Sequence, residues 1–299
     1  MVGRTTPSIA EAQNQDRSLR LLAAQRRMYS DIKALNNLRL AVVVVGGVSG
    51  AVCALVFANA RSVIGAVSGV TLLCLSLAGA SSEKSKTKKA SAVQEEFDTT
   101  VFKLPWNNEN SQRVSPSEVA RASLRHRGDG LNDWYADTHD APRPLDILMC
   151  QRSNLGWGIS MHRAWAISAL WACIAILVIA AVPCLVMSLT FSAALFGVYV
   201  PLIAVVKELV EIWRSNLESA LRKDVTEGRA SHLLANFLED GTLPSESDCR
   251  QLQNEIWESR QTNAIIPDWF YKVRRTRDEE AMRLSVDDFI SQARERGAW

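Results

Sequence analysis

The sequence lacks a large net charge and lacks paired cysteines, and each absence removes a class of protein. The formal net charge of the 299 residues is +2, so no overall basic field argues for a nucleic acid as direct partner. The six cysteines include no Cys-x-x-Cys pair, and four of them lie in apolar stretches. We therefore expect buried free cysteines in a reducing compartment rather than a disulfide scaffold. Residues 1–36 are polar and charged, which predicts no signal peptide.

The familiar catalytic motifs are also missing. The chain contains no Walker loop, no GxSxG, no HExxH and no GxGxxG between a strand and a helix. His139 lies between Asp137 and Asp140, but no second histidine or cysteine stands at ligand spacing. This favours a capped loop over a metal or acid–base site. We expect a protein that is not an enzyme and that has no catalytic residue, no metal and no cofactor.

Charge is absent from long stretches of the chain. Residues 40–60 and 62–82 each form a charge-free run of 21 residues, and residues 164–206 form one of 43. A hydrocarbon core of roughly 30 Å needs about 20 helical residues. The sequence therefore predicts four transmembrane helices in two hairpins, the second divided near Pro183 and Ser188, with helices at about 164–186 and 190–213. A soluble protein with very long buried helices is the alternative that this pattern disfavours.

Basic residues flank the spans on one side only. They precede the first span, follow the second and follow the fourth: Arg17, Arg20, Arg26, Arg27, Lys33, Arg39, Lys84, Lys86, Lys88, Lys89, Arg214, Arg222 and Lys223. The two hairpin tips contain only Arg61. Because positive residues stay on the cytosolic side, we expect both termini and the middle segment to be cytosolic.

The predicted fold class is an all-α integral membrane protein with a mainly helical cytosolic domain. Its parts are a cytosolic amphipathic N-terminal helix at 1–39, transmembrane hairpin 1 at 40–82, a cytosolic middle segment at 83–163, transmembrane hairpin 2 at 164–213 and a cytosolic helical C-terminal segment at 214–299. Within the middle segment, Ser115 and Pro116 predict the start of a short helix over 117–125.

Small residues are concentrated in the first hairpin. Gly46 and Gly50 in the first span, and Gly65 and Gly69 in the second, predict close helix packing or a gating role. No charged residue lies at the centre of a span, which disfavours an ion-coupled transporter. Lys207, at the end of the fourth span, is spaced for an i,i+4 pair with Glu211.

Three short stretches together resemble a known family. Residues 13–31 begin Gln-Asn and end Tyr-Ser-Asp directly before a span, residues 146–157 include Cys150, Arg152, Asn154 and Trp157, and residues 266–271 read Ile-Pro-Asp-Trp-Phe-Tyr. In this order and layout the chain resembles the SMODS-associating four-transmembrane effector family of bacterial CBASS-type anti-phage defence. Gly158 departs from the pattern, which has a polar residue after the tryptophan.

This resemblance implies a function. It implies a multi-pass protein of the bacterial inner membrane that senses a cyclic di- or trinucleotide made by a cGAS/DncV-like nucleotidyltransferase. The effector would then disrupt or permeabilise the lipid bilayer and cause abortive infection, as a homo-oligomer and without direct nucleic-acid binding.

A cyclic oligonucleotide needs arginines for its phosphates and aromatic rings for its bases. The candidate ligand-binding residues are Arg121, Arg125, Arg127, Trp134, Tyr135, Arg152 and Trp157. For the arginines around His126, a solvated helix face is the alternative. Two other functions stay open: a constitutive channel or small-solute transporter, and a membrane-anchored scaffold.

Overall fold

A computed structural model describes residues 7–78, 80–108, 112–128 and 130–298. Every regular element among these residues is helical, which confirms the all-α class. The helices are α1 (Ile9–Gln13), α2 (Asp16–Val56), α3 (Arg61–Ala78), α4 (Ala80–Phe102), α5 (Pro116–Leu124), α6 (Leu145–Val186), α7 (Phe191–Ala194), α8 (Val200–Asp240), α9 (Glu246–Gln261) and α10 (Asp268–Glu295). A 3₁₀ turn, Ala58–Ala60, precedes α3, and a π turn, Leu195–Tyr199, joins α7 to α8.

Four helices are long and apolar enough to cross a membrane, which confirms the four predicted spans. The first is α2, a single helix of 41 residues. It runs without a break from the N-terminal segment through the first span. The 3₁₀ turn Ala58–Ala60 forms the tip between the first two spans.

The second hairpin begins earlier than the sequence predicts. The third span belongs to α6, which starts at Leu145 rather than near residue 164. The end of the middle segment is therefore helical and continuous with the span. The turn falls at residues 187–190, where Ser188 has φ +48° and Thr190 caps the next helix. Pro183 lies inside α6, one turn before its end.

Glycines of the first hairpin lie where helices touch. In α2, a Cβ on Gly46 would lie 2.8 Å from a methyl carbon of Leu72, and one on Gly50 would lie 2.7 Å from the Ser68 hydroxyl. Both contacts are with α3. Larger residues would separate the two helices, so these positions are packing positions.

Gly65 and Gly69, both in α3, face the start of the fourth span. A Cβ on Gly65 would overlap the Phe196 carbonyl oxygen, and one on Gly69 would lie 2.6 Å from the Val200 carbonyl oxygen. At both positions the α3 backbone lies directly against the backbone of the facing segment. The closer of the two contacts is the one between Gly65 and the π turn. Hairpin 1 therefore packs on hairpin 2 through glycine.

The outer faces of the spans are apolar. Large side chains such as Val63, Ile179 and Phe191 are more than half exposed, as expected of a surface that faces lipid. All six cysteines are free, as predicted. Cys53 and Cys74 are exposed on these faces rather than buried.

The helices outside the spans share one hydrophobic core. Its largest fully buried side chains include Leu22 of α2, Phe97 and Phe102 of α4, Leu148 of α6 and Leu234 of α8. Because α2, α6 and α8 contribute to both this core and the spans, the two parts are joined by rigid helices. The predicted short helix over 117–125 is α5, capped by Ser115.

A charged cluster lies where the spans meet this core. Lys207 lies 3.2 Å from Glu208 and donates to the Ser76 hydroxyl at 3.0 Å. The predicted pair between Lys207 and Glu211 is therefore wrong. Glu208 is buried inside the bundle, whereas Glu211 points away and lies 3.9 Å from Arg214.

Candidate functional site

A cleft opens between α4, α6, α10 and the loop at residues 130–135. Its enclosed volume is about 80 Å³, and the space that includes its open mouth is about 640 Å³. We call it the aromatic cleft, and it is lined by Gln94, Gly130, Asn132, Asp133, Trp134, Tyr135, Asn154, Trp157, Tyr271, Arg275, Glu279, Met282 and Arg283.

Three half-buried aromatic side chains form part of the wall of the cleft. Trp157 of α6 and Tyr271 of α10 meet edge to face, with ring centroids 5.2 Å apart. Trp134 lies on the loop, and the guanidinium of Arg26 stacks over its ring at 5.0 Å. Aromatic faces of this kind accept stacked bases, and a stacked arginine adds a cation–π contact.

Arginines surround these rings. Arg275 donates to Glu279 at 2.6 Å, and this hydrogen bond raises the pKa of Arg275. Arg283 lines the same wall two turns further along α10. Burial lowers the pKa of Arg26 and raises that of the neighbouring Tyr271 phenol, which stays protonated and able to donate a hydrogen bond. Forked guanidinium groups suit phosphate oxygens.

Amide side chains complete the lining. Gln94, Asn132 and Asn154 each offer both donors and acceptors, which suit base edges and sugar hydroxyls. At Gly130, φ is +74°, and a Cβ there would lie 3.1 Å from the Arg275 guanidinium. The glycine lets the loop approach this arginine closely.

Buried hydrogen bonds hold the loop in place. The Tyr135 backbone N–H donates to Gln13 at 2.7 Å, and the Gln13 amide donates back to the Tyr135 carbonyl at 3.3 Å. The Tyr135 hydroxyl donates to Asp98 at 2.7 Å, and Asp98 also accepts from Arg260. Burial, followed by the nearby Asp98 charge, raises the pKa of this tyrosine well above its usual value. The wall next to Trp134 is therefore rigid.

Comparison with known proteins decides the family. The SMODS-associating 4TM effector domain matches residues 7–289 of the chain. The chain belongs to this family. A probable CBASS effector molecule of Bacillus cereus (strain VD146) is 24% identical over 201 residues, which cover 65% of this chain and 67% of that protein. No solved structure matches. The chain is thus a membrane effector of anti-phage defence, as the sequence resemblance predicts.

The effector brings together only some of the predicted ligand residues. Trp134, Tyr135 and Trp157 all border the aromatic cleft, although the Tyr135 ring is buried with its hydroxyl on Asp98. Arg152 lies elsewhere, donating to the Ser285 carbonyl at 3.2 Å.

The other predicted arginines are also outside the cleft. Arg121 and Arg125 border a separate groove beside α2, where Arg125 lies 3.0 Å from Asp31. Arg127 is exposed on the loop after α5.

Four aromatic or basic residues in or beside the cleft of the effector are absent from the sequence prediction: Arg26, Tyr271, Arg275 and Arg283. Two of them, Arg26 and Tyr271, could have been found from the sequence, because they lie in the stretches that carry the family resemblance. Arg26 lies in the resembling stretch 13–31 and Tyr271 in the stretch 266–271, while Trp157 ends the stretch 146–157. All three stretches meet at the aromatic cleft.

Gly158, the departure from the family pattern, lies beside the cleft and packs on a lysine. A Cβ there would lie 2.9 Å from Cδ of the buried Lys223. The effector shows no group of three histidine, cysteine or acidic side chains that could hold a metal ion, within the described part of the chain.

Proposed function

We propose that the effector senses a cyclic di- or trinucleotide in the aromatic cleft and responds by permeabilising the membrane that it spans. A single observation carries the proposal: Trp134, Trp157 and Tyr271 share one cleft with Arg275, and Arg26 stacks on Trp134 beside it. Bases would stack on the rings and phosphates would lie on the guanidinium groups. The expected source of the ligand is a cGAS/DncV-like nucleotidyltransferase.

The cleft is connected to the spans by continuous helices. Arg26 lies on α2 about 21 Å before residue 40, at 1.5 Å per residue, and no break separates it from the first span. Trp157 lies on α6 in the same way. A ligand that draws α2, α6 and α10 together would shift the spans only if it binds the shifted arrangement more tightly. The glycine contacts between α3 and the π turn are the place where hairpins 1 and 2 would repack.

We further propose a location and an orientation. The effector would lie in the inner membrane as a homo-oligomer, with both termini and the aromatic cleft in the cytosol, and would act on the bilayer without catalysis. The basic residues beside the spans support this orientation. Alkaline phosphatase fused after residue 59 should be active and a fusion at the C-terminus inactive; the reverse pattern would refute the orientation.

Dye release from liposomes tests the sensing function. The full-length protein in dye-loaded vesicles should be silent alone and should release dye when one cyclic di- or trinucleotide is added. A Trp157→Ala/Tyr271→Ala variant, which keeps the spans intact, should stay silent with the same ligand. Absence of leakage across a panel of cyclic di- and trinucleotides would refute the proposal. Leakage without any ligand would favour the constitutive channel.

A scaffold would behave differently. Exchange of the four spans for unrelated apolar helices would leave a scaffold functional in phage protection, but it should abolish protection by a membrane-permeabilising effector. Plaque counts on cells that carry the complete defence operon measure the difference.

A further inference from the structure

A second concave surface lies between α2, α4 and α5, apart from the aromatic cleft. Its empty volume is about 1720 Å³ including its open side. We call it the basic groove, and it is lined by Met28, Asp31, Ala34, Leu35, Leu38, Lys86, Lys89, Glu118, Arg121, Ala122, Leu124 and Arg125.

The floor of the basic groove is apolar and uncovered. Leu35 is 46% exposed, Leu38 64% and Leu124 86%. Neighbouring leucine side chains that are exposed to solvent indicate a surface that contacts another apolar molecule.

The rim of the groove has an excess of positive charge. Lys89 lies 2.9 Å from Glu118 and Arg125 lies 3.0 Å from Asp31, so these cations are neutralised. Lys86 and Arg121 also line the groove, and no ion pair joins either of them to a carboxylate among the described side chains. Two uncompensated cations therefore face the same apolar floor.

The open end of the groove lies at the height of lipid headgroups. Leu38 is the last residue before Arg39 and the charge-free run 40–60. On α4, Lys86 lies four residues beyond the run that ends at 82, which is about 6 Å along the helix axis. A headgroup layer is about 5–7 Å thick on each side of the hydrocarbon core. The groove is thus continuous with the surface that the spans present to lipid.

We propose that the basic groove binds an anionic phospholipid of the adjacent leaflet. Its phosphate would lie between Lys86 and Arg121, and an acyl chain would cover Leu35 and Leu38. Juxtamembrane cations attract anionic lipid, and the guanidinium fork adds a paired contact with phosphate oxygens. A second copy of the chain fits less well, because a twofold contact would bring the same uncompensated cations together.

The lipid site is independent of ligand sensing in the aromatic cleft. In this site Arg121 binds a phosphate group, as expected from the sequence, but the phosphate belongs to a lipid and not to a nucleotide. It also means that α5 ties the effector to the membrane surface.

Native mass spectrometry of the detergent-solubilised full-length protein tests the site. After delipidation and addition of equal amounts of phosphatidylglycerol and phosphatidylcholine, the protein should retain one phosphatidylglycerol per chain in preference to phosphatidylcholine. A Lys86→Glu/Arg121→Glu variant should retain it at least tenfold less. Equal retention of the two lipids by the unmodified protein would overturn the proposal.

The matched control is Lys84→Glu/Lys88→Glu. It changes the total charge by the same amount, but both substitutions lie on α4. Both lysines are exposed and neither lines the basic groove. This variant should retain phosphatidylglycerol like the unmodified protein. An equal loss in both variants would mean that only the general positive charge attracts lipid, and it would overturn a site in the groove.

A photo-crosslinker identifies the occupant directly. Benzoylphenylalanine at position 124, in the full-length protein reconstituted in phosphatidylglycerol-containing vesicles, should give a lipid adduct on irradiation. A crosslinked dimer in place of the lipid adduct would assign the groove to a second copy and overturn the proposal. Far-ultraviolet circular dichroism confirms that each variant is folded.

Discussion

Arg39, at the start of the first span, lies 3.6 Å from Glu208 in the buried interior of α8. Glu208 also accepts from the Ser76 hydroxyl of α3 and lies 3.2 Å from Lys207. Arg39 in turn donates to the Ser76 carbonyl at 3.3 Å. One carboxylate therefore ties α2, α3 and α8 together where the spans meet the soluble core.

We predict that Glu208→Ala destabilises the folded protein by about 3–5 kcal/mol, because it leaves Arg39 and Lys207 without their buried counter-charge. Thermal unfolding in detergent measures the loss. Glu211→Ala is the matched control, since the Glu211 side chain is half exposed and lies 3.9 Å from the exposed Arg214. If the two variants unfold at the same temperature, Glu208 does not hold the helices together.

The aromatic cleft predicts which arginines affect ligand affinity. If the proposed function holds, Arg275→Ala should weaken binding of the proposed cyclic oligonucleotide by about 10-fold to 100-fold, since a hydrogen bond to a charged group contributes about 1.5–3 kcal/mol. Isothermal titration calorimetry gives the affinity. Arg277→Ala is the control, because Arg277 is exposed on the same helix and does not line the cleft. Equal losses in the two variants would place the ligand outside the cleft.

Lys223 predicts a dependence of stability on pH. It is buried, donates to the Ser259 hydroxyl at 3.2 Å, and has its pKa lowered to about 7 by burial and then by the Arg260 and Arg222 charges. Between pH 7 and 10.5, Lys223 keeps its proton in the unfolded chain but has released it in the folded protein. Stability should therefore rise with pH from 7 to 8.5, by up to about 1.4 kcal/mol per pH unit from this residue.

The Lys223→Met variant tests this dependence. It should unfold at a higher temperature than the unmodified protein at pH 7 and should lose the rise between pH 7 and 8.5. Lys272→Met, at an exposed position, should leave both properties unchanged. Glu95, with a pKa raised to about 7 by burial, opposes the rise only near pH 7. His162, with a pKa lowered to about 3 by burial, titrates mainly below this range, and Cys249, with one raised to about 12 by burial, contributes mainly above it. An unchanged slope in Lys223→Met would contradict the assignment.

A side chain at position 65 should clash with the neighbouring span and destabilise the protein. Gly65→Ala would place a Cβ against the Phe196 carbonyl oxygen and force α3 away from the π turn. We expect a loss of stability of about 1–3 kcal/mol, as overpacking generally produces. Thermal unfolding in detergent is the measurement.

The control for Gly65 is another helical glycine. A Cβ on Gly228 of α8 would meet no heavy atom of a neighbouring residue within 4 Å. Gly228→Ala should therefore stabilise the protein by up to about 1 kcal/mol through helix propensity. If Gly65→Ala is equally stabilising, the close contact with Phe196 is not a feature of the protein in the membrane.

Part of the site could be predicted from the sequence, for a local reason. Trp134 and Trp157 are large aromatic residues in polar surroundings, so they could be recognised without knowledge of the fold. Arg121 and Arg152 could not be separated from Arg275 in this way, because an arginine has the same charge wherever it lies. Their different surroundings are set by helices α5, α6 and α10. The sequence prediction therefore included these two arginines outside the cleft and omitted Arg275 inside it.

The sequence alone determined the four spans, because a helix can cross the hydrocarbon core only where about 20 residues carry no charge. That condition is local and can be read along the chain. The tertiary structure alone decided the aromatic cleft, since Arg26, Trp157 and Tyr271 are each separated by more than 100 positions and meet only when α2, α6 and α10 pack. It also decided that Lys207 pairs with Glu208 and not with Glu211, because the packing of α8 on α2 and α3 buries one carboxylate and leaves the other in solvent.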